Sequence, residues 1–194
     1  MLTFYQELIG ILRWATELGR ADILQAVSIL SQYQSSPREG HLNELLYIFG
    51  YLKKRPKVSL FMDTTLPHID YGEFKTNPQD FAEYYQDVHD HLPHDMPSPR
   101  GASVSITAFV DASFAQNKKT RKSHPGFIIF ANRDPITWFS KRQSTVETST
   151  FSAEFMAMKS CINAIVEGLR FKLRMFGVPI DGPAHIFCNI MRVL

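Results

Sequence analysis

The sequence is short of cysteine, of long apolar runs and of net charge, and each shortage removes a class of protein. Its two cysteines, Cys161 and Cys188, fall in a predicted helix and a predicted strand without metal-ligand spacing. That argues against a disulfide scaffold or a cysteine-based zinc site, and both read as reduced, packed thiols. No apolar run approaches the roughly 20 residues that a bilayer span requires. The N-terminal Met1-Leu-Thr-Phe-Tyr-Gln-Glu7 lacks the basic region and apolar block of a secretory signal. The expectation is an intracellular, cytoplasmic chain with no membrane partner. A formal net charge of +2 permits a nucleic-acid partner without demanding one. A glycine-rich phosphate loop, a nucleophile elbow and a Cys–His pair are also missing, so P-loop and serine- or cysteine-nucleophile chemistry has no motif here.

What is present is enough apolar material, 44% of 194 residues, for one good core or two small ones. Residues 3 to 55 read as three helices. Tyr5, Leu8, Leu12 and Ala15 recur at helical spacing in the first, which Gly19 is placed to stop. Asp22 is a candidate cap for the second, with Ile23, Val27, Leu30 and Tyr33 as its stripe. Ser36-Pro37-Arg38-Glu39 reads as an N-cap serine, a proline at the first helical position and a capping-box glutamate for the third. Its apolar face is Leu42, Leu45, Leu46, Phe49 and Leu52, and Lys53-Lys54-Arg55 suits the negative end of the helix dipole. A short strand is possible at 58 to 62.

Between 63 and 102 the composition changes, with five prolines among aromatics and scattered acids. We read it as an irregular linker, which divides the chain into 1–62, 63–102 and 103–194. Three strands follow, Val104 to Ala112, Gly126 to Ala131 and Ile136 to Ser140, the last two joined by a hairpin turn. A helix spans about 150 to 176, with Phe151, Phe155, Met158, Ile162, Ile165, Leu169 and Leu173 as its expected core stripe. A last strand covers 184 to 190. The expected fold class is mixed α/β: a helical segment, then a truncated mixed sheet with a long helix packed on it.

Two carboxylates stand out. Asp111 ends the apolar run of the first strand, and Glu154 lies in the first turn of the long helix, on its sheet-facing side. Such a pair can converge on a divalent metal, although a dipole-favoured acid and a turn-starting acid are the blander readings. Between them Lys118, Lys119, Arg121 and Lys122 form a cationic loop, either a solvated hairpin tip or a phosphate contact. In Trp138-Phe139 the two rings point to opposite faces of a strand, so at least one is core. His89-Asp-His-Leu-Pro-His94 has neither cysteines nor helical i, i+4 spacing and is a poor zinc site.

Four collinear blocks carry a resemblance. Phe109-Val-Asp-Ala-Ser113, Arg121-Lys-Ser-His-Pro-Gly126, Pro135-Ile-Thr-Trp-Phe-Ser-Lys-Arg-Gln143 and Glu147-Thr-Ser-Thr-Phe-Ser-Ala-Glu154 resemble the ribonuclease H region of copia-type retrotransposon polyproteins. Upstream, Tyr5-Gln-Glu-Leu-Ile-Gly10, Arg20-Ala-Asp-Ile23 and Tyr51-Leu-Lys53 look like the helical segment after the reverse-transcriptase palm. The resemblance implies a ribonuclease H-like fold and hydrolysis of the RNA strand of an RNA–DNA hybrid, using two Mg²⁺ (or Mn²⁺) ions. By the same resemblance Asp111 would bridge both ions and Glu154 would hold one. Lys118, Lys119, Arg121 and Lys122 would meet nucleic acid, and the rest of a Pol polyprotein would be a partner.

The family's third ligand, the aspartate of a "C-D-N" strand end, corresponds to Cys188-Asn189-Ile190. Either that aspartate has become Asn189, or it was lost and Asn189 is the family's asparagine. In both cases a negative ligand is missing, and the family's fourth acid and closing elements would lie beyond Leu194. The expectation is therefore a retroelement-derived fragment whose ancestral activity has been lost and which needs no metal. An active hydrolase and a non-catalytic nucleic-acid-binding module are the alternatives.

Overall fold

The computed structural model describes residues 2–58, 60–69, 93–180 and 182–188. Three helices open the chain: α1 (Leu2–Glu17), α2 (Leu24–Leu30) and α3 (Glu39–Lys54). Single turns of 3₁₀ helix, Ala21–Ile23 and Ser31–Tyr33, extend α2 at both ends. Tyr5, Ile9 and Leu12 of α1, Val27 and Leu30 of α2 and Leu45 and Ile48 of α3 close around Ile23 as one core. The buried Tyr5 hydroxyl donates to the Leu30 carbonyl (2.8 Å), so this large side chain leaves its polar end satisfied.

Two helix starts differ from the sequence reading. Asp22 caps nothing; Arg20 pairs with it at 2.9 Å and the Tyr51 hydroxyl donates to it at 2.9 Å. The third helix begins at Glu39, after an extended Arg38 (φ −107°, ψ 163°), so Ser36 and Pro37 stay outside it. The backbone N–H of Arg38 donates to His41 Nδ1 (3.2 Å), which replaces the expected serine–glutamate box. On α3, Leu42, Leu45, Phe49 and Leu52 face the core as expected, but Ile48 is buried in place of Leu46, which is exposed. Residues 58 and 60–62 form no strand.

Four strands form one sheet in the order β3-β2-β1-β4: β1 (Ile106–Ser113), β2 (His124–Ala131), β3 (Asp134–Ser140) and β4 (His185–Cys188). β1 pairs antiparallel with β2 and parallel with β4, which makes the sheet mixed, as expected. The β2–β3 hairpin turns at Asn132, whose φ of +56° is a conformation asparagine tolerates better than most residues. Its side chain accepts from the Ser105 N–H (2.9 Å) and donates to the Thr64 carbonyl (2.9 Å), tying the turn to β1 and to the irregular segment.

A long helical element crosses one face of the sheet. It comprises α4 (Thr150–Asn163), a π-helical stretch (Ala164–Arg170) and α5 (Phe171–Met175). Ser149 caps it, its side chain accepting from the Ser152 N–H at 3.1 Å. The expected stripe holds in its second half, where Ile165, Leu169 and Leu173 pack on the sheet core, and fails in its first. Ala157 and Cys161, fully buried as Ala153 is, lie against Ile106, Ala108, Val110, Phe127 and Ile129, whereas Phe151, Phe155 and Ile162 are exposed. Small residues let the helix axis approach the sheet closely, and the larger side chains are displaced to the flank.

The helical segment is joined to the sheet by polar contacts. Trp138 Nε1 donates to the Thr16 carbonyl (3.0 Å) and the Ser28 hydroxyl donates to the Ser140 carbonyl (2.8 Å). Gln32 Oε1 accepts from Asn117 Nδ2 and from Arg142 Nη1, each at 3.1 Å.

Candidate functional site

Strand alternation places Asp111 on the sheet face turned away from α4, at the C-terminal end of β1, where its carboxylate is exposed. Glu154 reaches the same strand end from α4 and is almost completely buried, at 9% exposure. One of its oxygens accepts from the Ala112 N–H at 3.3 Å, and the Cys188 thiol lies 3.7 Å from the other. Burial, and secondly the charge of Asp111, push the Glu154 carboxyl above the usual carboxylate range, against the partial relief of those two contacts. A buried carboxyl whose ionisation a neighbouring carboxylate further opposes is electrostatically suited to receive a cation.

Cys188 ends β4 beside this pair, in register with Val110 of β1. Burial first, and then Glu154, push its thiol up to about 11, so it stays protonated near neutral pH. Cys161 behaves likewise: burial and then Cys188 raise its thiol to about 11. Asn189, the position of the resemblance's third ligand, lies outside the described residues, as do His89 and His91. Among the described residues no group of three or more His, Cys, Asp or Glu side chains comes together as a metal cluster.

The cationic loop connects β1 to β2. Asn117 organises it, accepting from the N–H groups of Lys119 (3.2 Å) and Thr120 (2.9 Å), and Arg121 adopts a left-handed φ of +57°. Lys118, Lys119 and Arg121 are exposed and Lys122 is half-buried. The ion pairs among the described residues, Arg20–Asp22 and Arg133–Asp63, use none of these cations. Of the two rings in Trp138-Phe139, Phe139 is the core member, stacked on Phe127 at 4.8 Å, and Trp138 faces the other way.

Sequence reading missed His124. It is buried at the start of β2, with its Nε2 3.1 Å from the Ser28 hydroxyl and 3.0 Å from that of Ser140. Burial, and then the charge of Arg142, lower its pKa below the ordinary 6.5. No local pattern could reveal this cluster, because Ser28 is 96 positions away in the chain.

A mixed sheet crossed by one helix, with an acid at the end of the first strand and another in the helix's first turn, is consistent with a ribonuclease H-like fold. Comparison with known proteins finds retrovirus-related Pol polyproteins. The chain is 25% identical over 187 residues to the retrovirus-related Pol polyprotein from transposon RE1 of Arabidopsis thaliana, which covers 96% of this chain. It is 24% identical to the Pol polyprotein from transposon TNT 1-94 of Nicotiana tabacum over 79% of its length. It spans only 10% and 9% of those two proteins. A third relative is of similar size: a secreted RxLR effector protein 161 of Plasmopara viticola, 23% identical, with 84% of this chain and 89% of that protein aligned. No family model matches, and neither does any solved structure. The similarity to copia-type Pol polyproteins over nearly the whole chain bears out the resemblance drawn from the four motifs and supports a retroelement origin. Among the described residues no helix is long and apolar enough to cross a membrane.

Proposed function

We propose that this chain is a retroelement-derived ribonuclease H-like segment that keeps a two-carboxylate cation site and has lost hybrid hydrolysis. The observation that carries the reading is the delivery of Glu154 from α4 to the strand end that bears Asp111, where burial, and then the Asp111 charge, raise the glutamate's pKa. The two carboxylates fit one hard divalent ion: they supply oxygen donors, and a cation between them would offset the repulsion that now opposes ionisation. Asp111 and Glu154 would hold such an ion, Mg²⁺ or Mn²⁺. When bound, it would supply the Lewis acidity that activates water and stabilises a leaving phosphate oxygen.

The donor set at the strand end disfavours hydrolysis. Position 189 carries an amide, and an asparagine oxygen lacks the charge that holds Mg²⁺ against water. The protonated Cys188 thiol cannot stand in for it, because thiols prefer softer metals. The exposed cations of Lys118, Lys119 and Arg121, and the half-buried Lys122, would meet phosphates of a hybrid or another nucleic acid.

The test pairs calorimetric Mn²⁺ titration with a hybrid-cleavage assay. Weak Mn²⁺ binding that is lost in Asp111→Asn, without cleavage by the unmodified chain, is the expected result. Asn189→Asp should tighten the binding, by about tenfold if one full charge is gained at the ion. Cleavage by the unmodified chain that disappears in Asp111→Asn would make it an active hydrolase instead.

A further inference from the structure

The metal reading uses the carboxylate ends of Asp111 and Glu154 and leaves an adjoining surface unexplained. On the sheet face opposite α4, Phe109 of β1 is paired with Ile128 of β2 on one side and Phe187 of β4 on the other. Trp138 of β3 continues the row beyond Ile128. Phe109 and Phe187 stack at 5.1 Å with their planes 19° apart, yet Phe109 remains 53% exposed. Leu24 of α2 forms a facing wall, because the polar contacts of Ser28 and Trp138 hold the helical segment over this side of the sheet. The space between them is an open-sided cavity of about 680 Å³. Small-molecule sites have roughly this size, about 300–1,000 Å³.

The charge of the lining is one-sided. Among the described residues of the lining, Asp111 is the one carboxylate and there is no lysine or arginine. The remaining ionisable groups of the lining are His124 and Cys188. Burial, and then the Arg142 charge, hold the histidine below its ordinary 6.5, so it adds no positive charge near pH 7.

We propose that this cavity binds a hydrophobic organic cation, of the aryl- or alkyl-ammonium class, with its charge against Asp111 and its apolar body among Phe109, Phe187, Trp138 and Ile128. Aromatic faces attract cations through their quadrupoles, and more strongly where water is displaced. The carboxylate at the rim adds a full opposite charge, and the apolar floor favours a ligand with little exposed polarity. An anion of the same size would meet the same apolar walls but be repelled by Asp111. The cavity therefore discriminates by charge sign. This inference needs no bound metal, and it stands or falls separately from the hydrolase reading.

The test uses benzyltrimethylammonium, with benzenesulfonate as the anionic control, on the full chain in EDTA at fixed ionic strength. Of the two tryptophans, Trp14 is 67% exposed and is replaced (Trp14→Phe) so that Trp138 fluorescence reports alone. The expected result is a saturable response to the ammonium, about tenfold tighter than any response to the sulfonate. Asp111→Asn should bring the two probes to similar affinity. Phe109→Leu keeps the apolar volume and removes the ring, so it should weaken ammonium binding by roughly threefold and leave sulfonate binding unchanged. Because Phe109 is largely exposed, that variant remains usable if Asp111→Asn fails to fold. Equal binding of the two probes, no saturable response, or an unchanged preference in both variants would overturn the proposal.

Discussion

At the scale of single residues, Glu154 sets a measurable pH signature. Burial and the Asp111 charge raise its pKa in the folded chain above its unfolded value. A carboxyl shifted upward favours folding while it is protonated. Its contribution is therefore fully present below the unfolded glutamate pKa and is lost as pH rises through the raised folded pKa. Asp111→Asn removes the repulsive part of the shift and leaves desolvation, so the loss should become smaller. Thermal melts between pH 4 and 8 should show the variant gaining on the unmodified chain as pH rises. Parallel curves would mean that the two carboxylates are not coupled. Millimolar Mn²⁺ should oppose the loss in the unmodified chain, if the pair takes the proposed ion. The two acids could be picked out in the sequence because strand alternation and helical spacing fix where a side chain points. Their third partner could not be followed into the structure, since Asn189 lies outside the described residues.

Elements were legible where a single face is buried, and misread where side-chain size decides the contact. The four strands and the three opening helices follow from alternation, helical spacing and turn residues. Around α4 the reading failed for a specific reason. Both flanks of the helix carry apolar residues: Phe151, Phe155 and Ile162 on one, Ala153, Ala157 and Cys161 on the other. Hydrophobicity alone ranks the phenylalanines first, but close approach to Ala108 and Val110 selects the small residues. The π-helical stretch at Ala164–Arg170 gave no sequence signal either, because one wider turn leaves the apolar spacing nearly intact. The packing implies an inverted mutational pattern. Ala157→Leu, though more hydrophobic, should overpack the helix–sheet contact and cost about 1–3 kcal/mol. Phe155→Ala, on the exposed flank, should cost within about 0.5–1 kcal/mol. Urea melts of both variants decide it, and a larger cost at Phe155 would restore the aromatic stripe as the core face.

For the whole molecule, the decisive feature is that two apolar cores meet across a polar seam. The three-helix core and the sheet core are separate clusters, and among the described residues the hydrogen bonds between them are few: Trp138 to Thr16, Ser28 to Ser140 and to His124, and Gln32 to Asn117 and Arg142. Each such hydrogen bond contributes only about 0.5–1.5 kcal/mol net, so the seam is weaker than either core. His124 makes it acid-sensitive. Its folded pKa lies below the unfolded 6.5, and its contribution is present above that value and lost as pH falls from there toward the lowered folded pKa. The cost of protonation comes from burial and from the nearby Arg142 charge, and it falls on the residue that touches Ser28. Acidification through this window should therefore loosen the helical segment before it melts the sheet. Amide hydrogen exchange at pH 7 and pH 5.5, corrected for intrinsic rates, should show protection lost first in α2 and retained in β1. His124→Gln keeps a hydrogen-bonding side chain without a titrating proton and should remove most of the difference. Simultaneous loss of protection in both cores at the lower pH would show that the seam couples them more tightly than its bonds imply, and that the chain unfolds as one unit.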